Sequence, residues 1–216
     1  MRRPIFITGT GTDIGKTHIL CALIRASRAS GQGVRVLKPV ASGFDMNDMV
    51  KTDTIRLLQA NGQELTADTV QAMTPWRYKA PVSPDMAARQ ERRSLRLGRL
   101  VSWCIDHLDP TLPTLIEGAG GVMSPIAADG LNLDLIRELD ARPVLVTGNY
   151  LGTLSHTLTA LRALDGRCTV IINPQGRGPV PAAETARTIA RYAPRADVRV
   201  YEDANPAALL DVIAGE

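Results

Sequence analysis

Pro4-Ile5-Phe6-Ile7-Thr8 runs directly into Gly9-Thr10-Gly11-Thr12-Asp13-Ile14-Gly15-Lys16-Thr17. The first five residues read as a buried strand, and the turn after them is broken by three glycines. From 16 to about 30 the apolar residues take helical spacing, with Ile19, Leu20, Leu23 and Ile24 on one face and Gly31 as the stop. Glycines let a backbone curl until successive N–H groups point inward. A helix that begins where the curl ends adds the positive end of its dipole. A strand, a glycine turn and a helix opening on lysine and threonine therefore suit a ligand that is a cluster of negatively charged oxygens. Counted from Gly9 the turn is one residue longer than the usual pattern, because Thr10 stands where a glycine is expected.

In that strand-to-helix context the stretch reads as a P-loop. Lys16 reaches the outer phosphates of a nucleotide, Thr12, Asp13, Ile14 and Gly15 lend the loop backbone, and the Thr17 hydroxyl ligates Mg²⁺. Working outward, further apolar runs lie at 34–37, 112–117, 143–147 and 169–173, with a weaker one at 198–201. Helical patterns occupy 53–60 and 95–108, and 62–84 is the least regular segment. Nearly all-apolar strands separated by helices imply a parallel sheet covered on both faces. The expectation is one α/β domain over residues 1–216, three-layered and doubly wound, of the P-loop NTPase type. Ligands of such sheets gather at the carboxyl ends of the strands. The loops at 9–17, 38–43, 117–121 and 148–152 all fall there.

Composition narrows the function. The chain has 216 residues, 44% hydrophobic and 22% charged, with a formal charge of +3. Arg89, Arg92, Arg93, Arg96 and Arg99 cluster, but no aromatic residue interleaves with them, and aromatics make up 4% of the chain. The cluster reads as a solvated helix face, and nucleic acid is not the expected partner. Cys21, Cys104 and Cys168 are too far apart in sequence to form a metal-ligand pair and read as buried thiols of a reducing compartment. The apolar run after Arg2 and Arg3 is too short for a signal peptide or a membrane span, so no membrane partner and a cytoplasmic location are expected.

Other residues at the strand ends carry candidate chemistry. Glu117 closes an apolar strand before Gly-Ala-Gly-Gly and suits a Mg²⁺ ligand. Asp53 reads either as a second ligand or as a helix N-cap. Lys38 ends the strand taken to lie directly beside the first, and reads as a second cation facing the transferable phosphate or as a solvated lysine. The helix opening at Leu151-Gly152-Thr153-Leu154-Ser155-His156 offers free N–H groups to a carboxylate. His156 reads as a packing or capping residue rather than an acid or base. Asn173 reads as a partner for an adenine edge or as a turn residue before Pro174.

Together these stretches resemble the dethiobiotin synthetase family. The matching pieces are the loop at 9–17, Lys-Pro-Val-Ala-Ser-Gly at 38–43, Thr-Asp at 52–53, Ala-Pro-Val-Ser-Pro at 80–84, Glu-Gly-Ala-Gly-Gly at 117–121 and Leu-Gly-Thr-Leu-Ser-His-Thr-Leu at 151–158. The resemblance implies an ATP-dependent closure of a cyclic urea from 7,8-diaminopelargonate and CO₂. It implies Lys16 and Lys38 as catalytic cations, and Thr17, Asp53 and Glu117 as the Mg²⁺ set. It also implies a homodimer whose substrate site lies at the interface. Thr12, Lys38, Ser42, Glu117 and Gly120 would then meet the substrate from one side, and Thr153, Leu154 and Ser155 would hold its carboxylate from the other. Gly11 and Asp13 stand where the family often has Asp and Glu, and Ser155 replaces a frequent Asn. The alternatives are a partition-type switch ATPase, against which Gly11 argues because it stands where that loop variant carries an extra lysine, and an ATP-binding amide synthase.

Overall fold

The computed structural model describes residues 2–45, 52–174 and 180–214. In chain order it runs β1 (Ile5–Gly9), α1 (Lys16–Ala29), β2 (Arg35–Leu37), β3 (Val40–Ala41), α2 (Asp53–Ala60), α3 (Ala67–Met73) and β4 (Trp76–Arg77). Then come α4 (Pro84–Gln90), α5 (Leu97–Asp106), β5 (Thr114–Glu117), β6 (Pro125–Ala127), β7 (Gly130–Leu131) and α6 (Asn132–Glu138). The remainder is β8 (Arg142–Thr147), α7 (Thr153–Ala163), β9 (Thr169–Ile172), α8 (Ala182–Tyr192), β10 (Asp197–Val200) and α9 (Leu210–Ala214).

Six strands form one parallel sheet in the order β10-β9-β8-β1-β5-β2. Strand alternation sends successive residues to opposite faces. Ile5, Ile7, Leu115, Val144, Val146 and Ile171 pack on one side with α1 and α2. Phe6, Ile116, Leu145, Val170 and Ile172 pack on the other with residues of α5, α6 and α7. Each fully buried side chain of this kind contributes about 1.5–3 kcal/mol, so two filled faces commit the sheet to the middle layer. The three-layer, doubly wound parallel fold is the one the alternating pattern implied.

The strand order differs from the expectation in one respect. β2 does not lie beside β1; β5 sits between them and pairs with both. β5 is buried along its whole length, whereas β2 has three residues and takes the edge. Neighbours in sequence are not neighbours in the sheet here, because the crossover through α1 leaves one place open.

Short elements also escaped the sequence pattern. The irregular 62–84 segment holds α3, fixed by a capping box between Thr66 and Thr69, and β4, which pairs with β3. α6 and α3 have seven residues each, too few to display a period. α8 buries only Thr185 and Ile189, a stripe too thin to see. The arginine cluster is not one helix face. It spans the connection from α4 to α5, where Arg93 lies over the Tyr78 ring at 4.7 Å and Arg99 over Trp76 at 5.8 Å. Its aromatic partners come from the far side of α4, which no local reading could supply. All three cysteines are buried free thiols, as expected.

Candidate active site

The loop after β1 owes its shape to two left-handed residues, Asp13 (φ 56°) and Gly15 (φ 93°), on either side of Ile14. Ile14 is buried and plugs the space above Gly9, where a Cβ would come within 2.3 Å of its Cδ1. The Asn173 side-chain amide donates to the Ile14 carbonyl at 3.1 Å, so it braces the loop from behind. A Cβ on Gly15 would stand 2.0 Å from that same amide nitrogen. Glycine is thus required at 15 twice over, by conformation and by space. Thr10 keeps a negative φ, which is why a threonine serves where a glycine is expected. Its hydroxyl meets those of Thr147 at 3.3 Å and Tyr150 at 3.4 Å.

Beyond the loop, a cleft of about 660 Å³ opens at the carboxyl ends of β1, β2 and β5. Thr12, Asp13, Gly15, Lys16, Thr17, Lys38, Ser42, Asp53 and Gly120 all line it. Lys16 is buried and folds back so that its ammonium donates to the Gly11 carbonyl at 2.9 Å. Burial pushes its pKa below the usual lysine value, an effect that Glu117 only partly offsets.

At the cleft floor a four-residue cluster joins the lining residues Thr17, Lys38 and Asp53 to Glu117 beneath them. The Thr17 hydroxyl donates to Glu117 Oε1 at 2.8 Å, and the Lys38 ammonium donates to the same oxygen at 2.5 Å. Asp53 Oδ2 stands 3.2 Å from Lys38 on the other side. Burial works against the Lys38 charge, but the two carboxylates outweigh it and raise its pKa. Burial likewise disfavours the Asp53 anion, yet Lys38 and the Thr17 hydroxyl bring its carboxyl below the usual range. Asp53 is free for this because Thr52 takes the N-cap of α2, accepting from the Ile55 N–H at 3.4 Å. Of the two readings open for Asp53, the capping one is therefore excluded by its neighbour. Although β2 is not beside β1, Lys38 still reaches the cluster, because it leaves the sheet next to the end of β5 where Glu117 sits.

The second carboxylate oxygen of Glu117, Oε2, is buried and has no hydrogen-bond partner among the described residues. A buried lone pair left unmatched costs free energy. One unmatched carboxylate oxygen, a second carboxylate and a threonine hydroxyl form the hard oxygen set that Mg²⁺ takes alongside phosphate. The residues present fit that ion.

The loop at 117–121 is held open by a residue the sequence reading missed. Asn132, at the start of α6 and fully buried, donates to the carbonyls of Ala119 at 2.7 Å and Gly121 at 2.8 Å. Its only sequence signal was a polar residue opening a helix. Gly120 takes φ 75°, and a Cβ there would meet Ser124 Oγ at 2.4 Å.

The start of α7 stands apart. Thr153, Leu154 and Ser155 do not line this cleft. Thr153 is buried and donates to the Gly148 carbonyl at 2.7 Å, while Ser155 is exposed. His156 meets the Tyr150 hydroxyl at 2.9 Å, also outside the cleft lining. Among the described residues no helix is long and apolar enough to cross a membrane.

Known proteins resemble this chain in sequence. A family model described as an AAA domain matches residues 3–200. The chain is 46% identical over 200 residues to the ATP-dependent dethiobiotin synthetase of Methylobacterium nodulans, covering 88% of each chain. It is 40% identical to that of Acidiphilium cryptum over 207 residues, 93% of each, and 47% identical to that of Caulobacter vibrioides over 169 residues, 76% of this chain and 75% of the relative. These relatives do not favour the switch ATPase or the amide synthase. With the loop, the lysine–carboxylate cluster and these relatives in agreement, the chain belongs to the family of ATP-dependent dethiobiotin synthetases.

Proposed function

We propose that the cleft joins CO₂ to 7,8-diaminopelargonate at the expense of ATP and closes the product to a cyclic urea. The observation that carries this reading is the convergence of Lys38, Thr17 and Asp53 around Glu117, whose inner oxygen is unmatched, beside a phosphate-binding loop. One amine nitrogen of the substrate forms a C–N bond to CO₂ and loses a proton, giving a carbamate. A carbamate oxygen then attacks the γ-phosphorus, the bond to the bridging oxygen breaks, and ADP leaves. The second amine attacks the carbamoyl carbon, phosphate departs with the C–O bonding pair, and the attacking nitrogen gives up a proton as the ring closes.

Each step crowds negative charge, so the protein's contribution is positioning and charge stabilisation. The backbone N–H groups of 12–15 and Lys16 hold the β- and γ-phosphates. Lys38, with Ser42 and Thr12, orients the carbamate end. Mg²⁺ held by Thr17, Asp53 and Glu117 would neutralise the phosphate oxygens. Gly120 borders the substrate and Glu117 lies beneath it, while Asn173 would have to leave the Ile14 carbonyl to meet an adenine edge. The start of α7 lies outside its own cleft; the Thr153 N–H is taken by the Tyr150 carbonyl at 3.1 Å, which leaves the amides of Leu154 and Ser155 to hold the substrate carboxylate of the partner's site in a homodimer. A single P-loop domain over 1–216 working in the cytoplasm completes the reading.

The test is incorporation of labelled bicarbonate by purified protein given diaminopelargonate, Mg²⁺ and ATP. Acid-stable label in a cyclic product, formed in step with ADP, is the expected result. ATP hydrolysis with no label retained would overturn the reading.

A further inference from the structure

We propose that Arg56 is a polyphosphate-binding residue at the rim of the cleft. The inference rests on the nucleotide triphosphate assigned above and extends its site to a residue outside the matching motifs. Arg56 lies on α2, three residues after Asp53, so the two share a helix face. Its side chain is exposed and lines the same cleft as Lys16, Thr17, Lys38 and Asp53. α2 packs on α1, whose first turn carries Lys16 and Thr17, so the guanidinium flanks the phosphate cradle rather than underlying it.

The charge balance makes the case. Lys16 and Lys38 stand against three carboxylates, Asp13, Asp53 and Glu117, so without Arg56 the formal charge around the cleft is negative. A nucleoside triphosphate with one divalent cation brings a further charge of about −2, and the carbamate adds to it. Lys38 is already engaged by Asp53 and Glu117, Lys16 by the Gly11 carbonyl, and His18 by Asp203 at 3.2 Å. Arg56 is, among the described residues, the cation of this cleft whose head group is held by no hydrogen bond or ion pair. Its nearest acidic neighbour on the helix, Asp53, is occupied by Lys38. A planar guanidinium also matches two phosphate oxygens at once, which an ammonium does not. Being at the rim, it acts on binding rather than on the transferring phosphoryl group.

Calorimetric titration with ATP and Mg²⁺ of the wild type, Arg56→Ala, Arg56→Gln and Arg56→Lys tests this. The expected result is an affinity for ATP about tenfold weaker in the Ala and Gln variants, equivalent to about 1.4 kcal/mol. The Lys variant should recover part of it. The dependence of affinity on salt should flatten when the charge is lost, which a packing defect would not cause. In turnover, KM for ATP should rise while kcat stays within about twofold. ATP affinity within twofold of wild type in Arg56→Gln, with an unchanged salt dependence, would refute the assignment. If the wild type retains no label from bicarbonate but ATP affinity still depends on Arg56, the reaction reading falls and this one stands. If label is retained and Arg56→Gln binds ATP normally, the reverse holds.

Discussion

At the loop end of the cleft the Lys16 ammonium rests on a neutral carbonyl, that of Gly11. At the β2 end the Lys38 ammonium is clasped by Glu117 at 2.5 Å and Asp53 at 3.2 Å. Both lysines are buried. Burial lowers the pKa of the first, whereas carboxylates raise that of the second. Lys16 is therefore a desolvated cation, and on the proposed function an arriving phosphate supplies its counter-charge. Lys38 is already neutralised and serves the framework, in addition to the chemistry proposed for it. It becomes available to an acceptor anion to the extent that another cation draws on its two carboxylates.

The largest effect should come from Lys16→Ala. Loss of a preorganised cation aimed at the phosphates should lower turnover on the order of 10³-fold and should weaken nucleotide binding with it. Steady-state kinetics together with calorimetry would check both. Retention of ATP affinity would break the contrast, because Lys16 would then not be waiting for phosphate.

Lys38→Ala should abolish turnover and leave nucleotide binding largely intact, but its burial adds a cost the loop lysine does not carry. Removing one partner of a buried pair leaves Glu117 uncompensated, at about 3–5 kcal/mol. In a protein of this size that lowers the melting temperature by roughly 10 °C, whereas Lys16→Ala should shift it far less. Thermal unfolding of the two variants side by side tests this, and equal shifts would remove the structural distinction between the lysines.

The two carboxylates should differ in the same experiment. The Glu117 side chain is fully buried, while Asp53 is 44% exposed. Glu117→Gln should weaken the Mg²⁺ dependence of nucleotide binding by about 10–100-fold, and Asp53→Asn by less. Titrating Mg²⁺ at fixed ATP would rank them, and the opposite order would mean that burial does not set their weight.

The smallest effect concerns the packing behind both ends. Burial pushes the Cys21 thiol up to about 11 and those of Cys104 and Cys168 up to about 12. At pH 8 all three are neutral thiols, since the thiolate forms only as pH rises through these raised values. Native protein should stay unmodified by an alkylating reagent at that pH and take up three equivalents once unfolded, as read by intact mass. Rapid modification of Cys21 in the native state would show that α1 is looser behind the loop than the opposite face of the sheet.

The loop, α1, α2 and the apolar runs were all legible because their signals are local. Gly15 and Lys16 state a backbone conformation and a charge within one turn of each other, and a strand of buried residues needs no partner to be recognised. The cluster around Glu117 was legible residue by residue but not as a cluster. Chain order puts Lys38 beside β1, and only the pairing of β5 with both β1 and β2 brings it to Glu117. The brace from Asn132 and the stacking of Arg93 and Arg99 on Tyr78 and Trp76 were not legible, since each joins segments that share no local pattern.

By itself the sequence determined the phosphate loop, the parallel three-layer class and the family, because helix period, strand burial and glycine turns depend on residues within a few positions of each other. The tertiary structure alone decided which strand separates Lys38 from Lys16, that Thr52 frees Asp53 from capping, and that Glu117 keeps one oxygen unmatched. Those outcomes depend on sheet order and on burial, which arise only when segments as far apart as Thr17, Lys38, Asp53 and Glu117 are packed against one another and cut off from water.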